Sequence, residues 1–344
     1  MSNLLRHRLR RLRELCLLSV LIATTGCASG YRIAPSAAAF SDAALGVSWL
    51  TPSADDDARV LARWRAGVGH PLVASSTRTP DPAGLDGLTI VSWNIALGAG
   101  DVSAMFTRVQ AERPNHAIVL LLQEAFRSGD DIPHSPLGAA FAGRLHGTSA
   151  REIDELARTL DLWMYYVPSM RNGAPGRSDE DRGNAILSTI PLENLVAIEL
   201  PFERQRRVAV GATIRGRNAN GTPWALRVAS VHLDNMAGLS RGYVGGEYAR
   251  IRQARGLREA LRGEDPLVLA GDFNTWFGFG DGAYRETASA FPQTRVTDQR
   301  RTFMGLMRLD HVFYRLPQGW RADVKRGETS LGSDHHPLVT TIAF

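Results

Sequence analysis

Leu267-Val268-Leu269-Ala270-Gly271-Asp272-Phe273-Asn274-Thr275-Trp276 reads as a buried strand that hands two polar side chains to whatever lies beyond its end. Four apolar residues make the strand, Gly271 opens a tight exit, and positions i and i+2 of an extended segment point to one face. Asp272 and Asn274 therefore converge on one spot, a carboxylate to handle a proton or cation beside an amide to steady an oxyanion. Gly-Asp-Phe-Asn is equally suitable chemistry for an ordinary Asx turn. The rest of the chain decides between the two.

Outward from this stretch, apolar segments keep ending in polar residues. Leu88–Ile95 is a strand carrying Trp93-Asn94, and the continuous apolar run Ala117–Gln123 delivers Glu124. Strand-like Gly183–Ser188 follows a charged loop. Val208–Arg215 and Trp224–His232 flank Asn220-Gly221, a strong hairpin signal, and the second of them leads into His232 and Asp234. Leu309–Tyr314 contains Asp310-His311, and Ser333-Asp334-His335-His336 precedes the last strand, Pro337–Ile342. Helices are expected at Asp55–Trp64, Val102–Arg113, Glu152–Leu160 and, from the spacing of Ile251, Ala254, Leu257 and Leu261, at Glu247–Leu261. Many buried strands interleaved with a few helices imply an α/β (α+β) domain of roughly 250 residues, a large mixed sheet system flanked by helices.

Each polar residue has a bland use: Asn94 and Asp334 as turn formers, Glu124 as a solvated side chain, His232 as a core histidine, Asp310-His311 as a local pair. Together they resist that description. Carboxylates gathered at one edge repel each other unless a cation or phosphoryl chemistry balances them. Hard oxygen ligands without cysteine favour Mg²⁺, Mn²⁺ or Ca²⁺ over zinc.

The set Trp93-Asn94, Leu121–Phe126 (LLQEAF), Gly183–Ser188 (GNAILS), Val231–Asn235 (VHLDN), Gly271–Asn274 (GDFN), Leu309–Phe313 (LDHVF) and Ser333–Pro337 (SDHHP) resembles the endonuclease/exonuclease/phosphatase superfamily in order and spacing. The resemblance covers about Leu88–Phe344. It implies a four-layer αββα sandwich of two mixed β-sheets with helices outside, and one site at one edge of the sheets. Carried over residue by residue, it makes Glu124 the principal Mg²⁺ ligand (Mn²⁺ as the alternative), with Asn94 beside it and Asp334 assisting. Asp272 orients or deprotonates the attacking water, Asn274 donates to a phosphate oxygen, Asp310 holds His335 against the scissile phosphate, and His232 stabilises the developing charge. The family's phosphate-contacting Tyr or Arg has three candidates here, Tyr166, Arg171 and Arg182, and the motif points to His335 over His336. The implied activity is metal-assisted hydrolysis of a phosphate ester. The competing class, a binding or toxin-like module that keeps the fold without turnover, predicts gaps at Glu124, Asp272 or His335; all three are present.

The formal net charge of +5 is concentrated in the leader, where Arg6, Arg8, Arg10, Arg11 and Arg13 stand against Glu14. The near-neutral remainder carries no electrostatic footprint for non-specific nucleic-acid binding. Lys325 is the single lysine, so positive charge at a site has to come from metal, histidine and arginine. Both cysteines, Cys16 and Cys27, lie in the leader, which excludes a disulfide framework or a thiolate site in the body.

Residues 1–27 combine an arginine-rich start, the apolar run Leu15–Ala23 and the exit Thr24-Thr25-Gly26-Cys27. The run is shorter than the about 20 residues of a spanning helix and has the length of a secretory h-region. It resembles a bacterial lipoprotein signal, with Cys27 as the lipidated residue, although Thr24 stands where such signals usually carry Leu. Ala28 after Cys27 leans the expected destination towards an outer membrane. Residues 28–86 read as a tether and N-terminal embellishment, and residues 87–344 as the catalytic domain. The expected partners are a phosphate-ester substrate and, through the anchor, a membrane; the body is expected to be a monomer. Trp276-Phe277-Gly278-Phe279 and Phe303–Met307 are apolar for loops beside a site, which suits contact with a lipid or a base, or a small core beneath the loop.

Overall fold

The structure, a computed structural model, describes residues 33–35, 45–78, 84–133, 145–173, 179–235 and 237–344. Two seven-stranded mixed sheets form its centre. The first runs, in spatial order, β1 (Ile33–Pro35), β2 (Val47–Pro52), β8 (Glu193–Glu199), β9 (Val208–Arg217), β10 (Pro223–His232), β11 (Leu267–Asp272) and β12 (Asp310–Arg315). The second runs β13 (Arg321–Arg326), β14 (Leu338–Ala343), β4 (Gly87–Asn94), β5 (His116–Ser128), β7 (Glu180–Ser188), β6 (Trp163–Arg171) and β3 (Leu72–Ala74). Residues before Gly87 thus add edge strands to both sheets, and α1 (Asp55–Arg65) packs beside them.

Three apolar layers hold the sheets and helices together. Val119, Leu121 and Ile186 of one sheet meet Val210, Val228 and Val268 of the other, all at 0% exposure. Outside the second sheet, α2 (Val102–Glu112) and α3 (Ile153–Leu160) cover Val91, Leu120 and Leu187. Outside the first, α4 (Ala237–Ala260) and α5 (Gly282–Ala288) cover Ala229, Leu269 and Phe313. The result is the four-layer αββα sandwich. Each fully buried Val, Leu or Ile contributes about 1.5–3 kcal/mol, so burial between the two central sheets is a main source of the fold's stability.

Strand register is what places the polar residues. In the parallel pair β10–β11, His232 lies opposite Asp272, and in the antiparallel pair β11–β12, Asp272 lies opposite Asp310. In the parallel pair β4–β5, Asn94 lies opposite Gln123. Gly271 is required because a Cβ there would stand 1.9 Å from the Val231 carbonyl, and its φ is +153°. The hairpin between β9 and β10 turns at Gly221, φ +83°, as the Asn-Gly pair predicts.

Among the described residues no helix is long and apolar enough to cross a membrane. The leader, with Cys16 and Cys27, lies outside the described residues.

Candidate active site

Strand ends of both sheets meet at one edge, and there the residues expected from the motifs come together around Asp272. Its Oδ2 accepts from Asn94 Nδ2 at 3.0 Å and its Oδ1 from the Asn274 amide at 2.9 Å. His232 Nε2 stands 3.4 Å and His335 Nε2 3.7 Å from the same Oδ2. Asp310 Oδ2 binds His335 Nδ1 at 2.8 Å. Asn94, His232, Asp272, Asn274, Asp310 and His335 are all buried.

Local backbone explains how each side chain gets there. Asn274 takes φ +50°, the left-handed region that Asn tolerates best after Gly, and its side-chain amide donates to the Leu233 carbonyl at 2.9 Å. Glu124 takes φ +53° inside a bulge where the β5–β7 register shifts between Leu122 and Ala125. Bulges re-aim side chains beside active sites. Here the bulge turns Glu124 into a small pocket that it shares with Arg182, Arg207 and His232. Ser333 Oγ donates to the Asn94 carbonyl at 2.6 Å and accepts from the His335 amide at 3.0 Å, while Trp93 Nε1 donates to the His335 carbonyl at 2.9 Å. These three bonds fix the histidine loop to the end of β4. His336 points elsewhere, its Nδ1 lying 3.1 Å from the Gly327 carbonyl.

Electrostatics divide the two histidines. Burial opposes a charged His335, but Asp310 and then Asp272 outweigh it and push the imidazole up to about 10. His335 is therefore an imidazolium at neutral pH. Burial holds His232 well below its ordinary value, and the neighbouring Arg207, Arg182 and His335 add to that. His232 is therefore neutral, and its Nε2 has no hydrogen-bond partner among the described residues. Burial raises Asp272 to about 7; Asp310 adds to the rise, while His335, Asn94 and the Asn274 amide oppose it. A buried carboxyl poised near neutrality, flanked by an imidazolium and two amides, is suited to taking a proton from water.

Asp272, Asp310 and His335 offer ligand atoms all within 4.8 Å of one another, the one such group among the described residues. Glu124 and Asp334 stand outside it. Glu124 faces Arg182 at 3.6 Å. Asp334 is half-buried beside His335, adds to its upward shift, and accepts from the Met304 amide through its carbonyl at 2.9 Å. A hard divalent cation fits this edge on two counts: Asp310 Oδ1 is buried with no hydrogen-bond partner among the described residues, and the available donors are carboxylate oxygens with no thiolate.

Of the three phosphate-contact candidates, Arg182 lines the pocket. Tyr166 instead donates its hydroxyl to Asp181 at 2.7 Å, and Arg171 is fully buried. Arg207 was not among the candidates. Its guanidinium reaches the pocket held by Gln205 Oε1 at 2.9 Å and Asn235 Oδ1 at 3.1 Å through Nη2. Asp234 supports that arrangement rather than the chemistry, since its Oδ2 accepts from the Arg204 and Gln205 amides, each at 3.1 Å. His311 is a core residue, 2.7 Å from Thr275 Oγ1 and packed on Phe273, Tyr284 and Phe313.

No curated protein sequence matches this chain. Among solved structures, the endonuclease/exonuclease/phosphatase from Beutenbergia cavernae DSM 12333 shares the fold with a TM-score of 0.54 at 18% identity, over 75% of this chain and 72% of that one. The human Nocturnin catalytic domain with bound sulfate anion follows at TM-score 0.47 and 18% identity, over 76% of this chain and 95% of that one. The 3'-5' exonuclease from Neisseria meningitidis gives TM-score 0.48 and 16% identity, over 75% of this chain and all of that one, 100%. The sequence model of the Endonuclease/Exonuclease/phosphatase family matches residues 91–335, more than half of the chain, from within β4 to His335. This protein belongs to the Endonuclease/Exonuclease/phosphatase family.

Proposed function

We propose that this protein is a Mg²⁺-dependent phosphoesterase that hydrolyses a phosphodiester or phosphomonoester by in-line attack of water. The observation that supports it most is the poise of Asp272, buried between the Asn94 and Asn274 amides and two histidines of opposite charge state. Water attacks phosphorus on the side opposite the ester oxygen. A P–O bond forms, the ester P–O bond breaks, and the water proton passes to Asp272. His335, kept as an imidazolium by Asp310, points its Nε2–H towards the transferring phosphoryl group. Neutral His232 presents its ring to the same place, with Arg182 and Arg207 behind it. Preorganised donors of this kind act where charge develops in the transition state, and in a buried site they are worth more than in water. Bound Mg²⁺, or Mn²⁺ by the same chemistry, would be held mainly by Glu124 with Asn94 and assisted by Asp334, and would neutralise charge on a phosphate oxygen.

The family consists of hydrolases acting on phosphate esters, and both a nuclease and a lipid or small-molecule phosphodiesterase fit the site as built. The leader adds the proposal that the protein is exported in a bacterial envelope and anchored through Cys27 as a lipoprotein, in an outer membrane where one exists, acting as a monomer. The test is a panel of plasmid DNA, sphingomyelin-type lipid, inositol phosphate and bis(p-nitrophenyl) phosphate, each with Mg²⁺ and with chelator, for the wild type and Glu124→Gln. At least one ester should turn over only with metal, and Glu124→Gln should abolish that turnover. Hydrolysis indifferent to chelation and to Glu124→Gln refutes the proposal.

A further inference from the structure

We infer that the catalytic edge of the sandwich docks on a phospholipid membrane through two apolar loops. One follows Asp272 and Asn274 directly and exposes Trp276 (37%) and Phe277 (54%). The other precedes β12 and exposes Met304 and Leu306, each at 63%. These four account for half of the large hydrophobic side chains exposed among the described residues, and single-patch concentration of this kind marks an interaction surface.

Both loops are built on the site. Phe303 bridges to His335 in the backbone and packs its ring against the imidazole at 4.8 Å between centroids. Thr275 Oγ1 donates to the Arg308 carbonyl at 2.9 Å, and the Arg308 guanidinium lies 4.9 Å over the Phe279 ring, which joins one loop to the other. The loops thus have cores of their own, and the tips of Trp276, Phe277, Met304 and Leu306 are left facing outwards. Arg301 is exposed beside Thr302, and Arg285, 65% exposed, donates to the Gly280 carbonyl at 2.6 Å with Glu247 3.7 Å from its guanidinium. Apolar tips beside arginine side chains are suited to the interface of a phospholipid bilayer.

Topology says which way the leader leaves. β2 runs parallel to β8, β8 antiparallel to β9, and β9 antiparallel to β10, so β2 ends at the same edge as His232. β1 is antiparallel to β2, with Ile33 opposite Pro52. The chain therefore enters the sandwich at the catalytic edge. Five residues lie between Cys27 and Ile33, six Cα steps with a reach of at most about 20 Å, and five strand spacings separate β1 from β11, about 24 Å. A lipid on Cys27 and the two apolar loops consequently reach the same plane, which commits the surface to a membrane. Docking and turnover are separable, because position on the bilayer can be read without hydrolysis.

The full chain is reconstituted in vesicles of brominated phosphatidylcholine with a minority of phosphatidylglycerol, and tryptophan quenching by the bromines is measured. The chain has 7 tryptophans and none in the leader. Trp224 and Trp320 pack edge to face at the opposite edge, 5.9 Å between ring centroids, and serve as the control. Quenching should be lost in Trp276→Phe and kept in Trp224→Phe. The double variant Met304→Ser/Leu306→Ser should lower the quenching while hydrolysis of water-soluble bis(p-nitrophenyl) phosphate stays at the wild-type rate. Quenching that is unchanged in Trp276→Phe, or that disappears in Trp224→Phe instead, overturns the inference.

Discussion

Glu199→Gln tests how the pocket arginines are held in place. Glu199 and Arg206 are both fully buried, with Arg206 Nε donating to Glu199 Oε1 at 2.7 Å. Arg65 donates to both Glu199 oxygens from the rim of the same cluster. Removing the anion leaves the Arg206 guanidinium buried without a countercharge, and breaking a buried pair in this way costs about 3–5 kcal/mol. Arg206 Nη1 keeps the Pro168 and Ser169 carbonyls at 2.8 and 3.3 Å, which favours the lower end, about 3 kcal/mol. An unfolding entropy near 2.1 cal/mol/K per residue over roughly 300 residues turns this into a fall in Tm of about 5 °C. Scanning calorimetry measures it. Arg207, next in the chain, loses its fixed neighbour, so KM for a phosphodiester should rise several-fold while kcat changes less. An unchanged Tm with unchanged KM refutes the claim that this buried pair organises the pocket.

Asp181 has the opposite electrostatic sign. Burial outweighs Arg127 and its hydrogen bonds from Tyr166 and Gly69 and raises its carboxyl to about 6. A carboxyl whose folded value lies above its unfolded value supports the fold below the unfolded value, and that support is lost as pH rises through the folded one. Wild type should therefore lose about 2 kcal/mol relative to Asp181→Asn between pH 4 and pH 7 in urea titrations, and parallel stability curves would contradict this. Arg207→Ala removes a charged donor from the pocket and should lower kcat/KM about 10- to 100-fold, the range expected for a hydrogen bond to a charged group. Steady-state kinetics at saturating Mg²⁺ decide it, and a loss below twofold would show that Arg207 does not meet the substrate.

What could be read from the sequence follows from how each residue is delivered. Asp272 and Asp310 stand at the ends of apolar strands, where period-2 geometry and strand order leave little choice of direction, whereas Asn274 turns at φ +50° just beyond β11 and His335 is held in the loop before β14, so their places follow from the motif and not from strand period. The bulge at Glu124 is not written in the apolar run that carries it, which continues without a break through Leu122 and resumes at Ala125. Arg207 was invisible for a different reason. Arg204, Arg206 and Arg207 are equivalent letters in one run, and only the fold sends Arg206 into the core against Glu199 and Arg207 into the pocket. His311 beside Asp310 looked like a partner, but adjacent strand residues face opposite sides, and it packs under α5 instead. The edge strands β3 and β13 lack a long apolar run, since edges are covered on fewer sides. The start of α4 was missed because Gly238, Gly242, Gly245 and Gly246 oppose helix propensity, which tertiary context overrides.

The central claim is that Asp272 takes the proton of the attacking water. Asp272→Asn keeps the shape of the side chain and removes the base, so it separates chemistry from binding. With bis(p-nitrophenyl) phosphate and saturating Mg²⁺, kcat should fall about 10²- to 10⁴-fold, while calorimetric Mg²⁺ affinity should stay within a few-fold of the wild type, since the proposal places the metal mainly on Glu124. A kcat within tenfold of wild type would contradict the assignment.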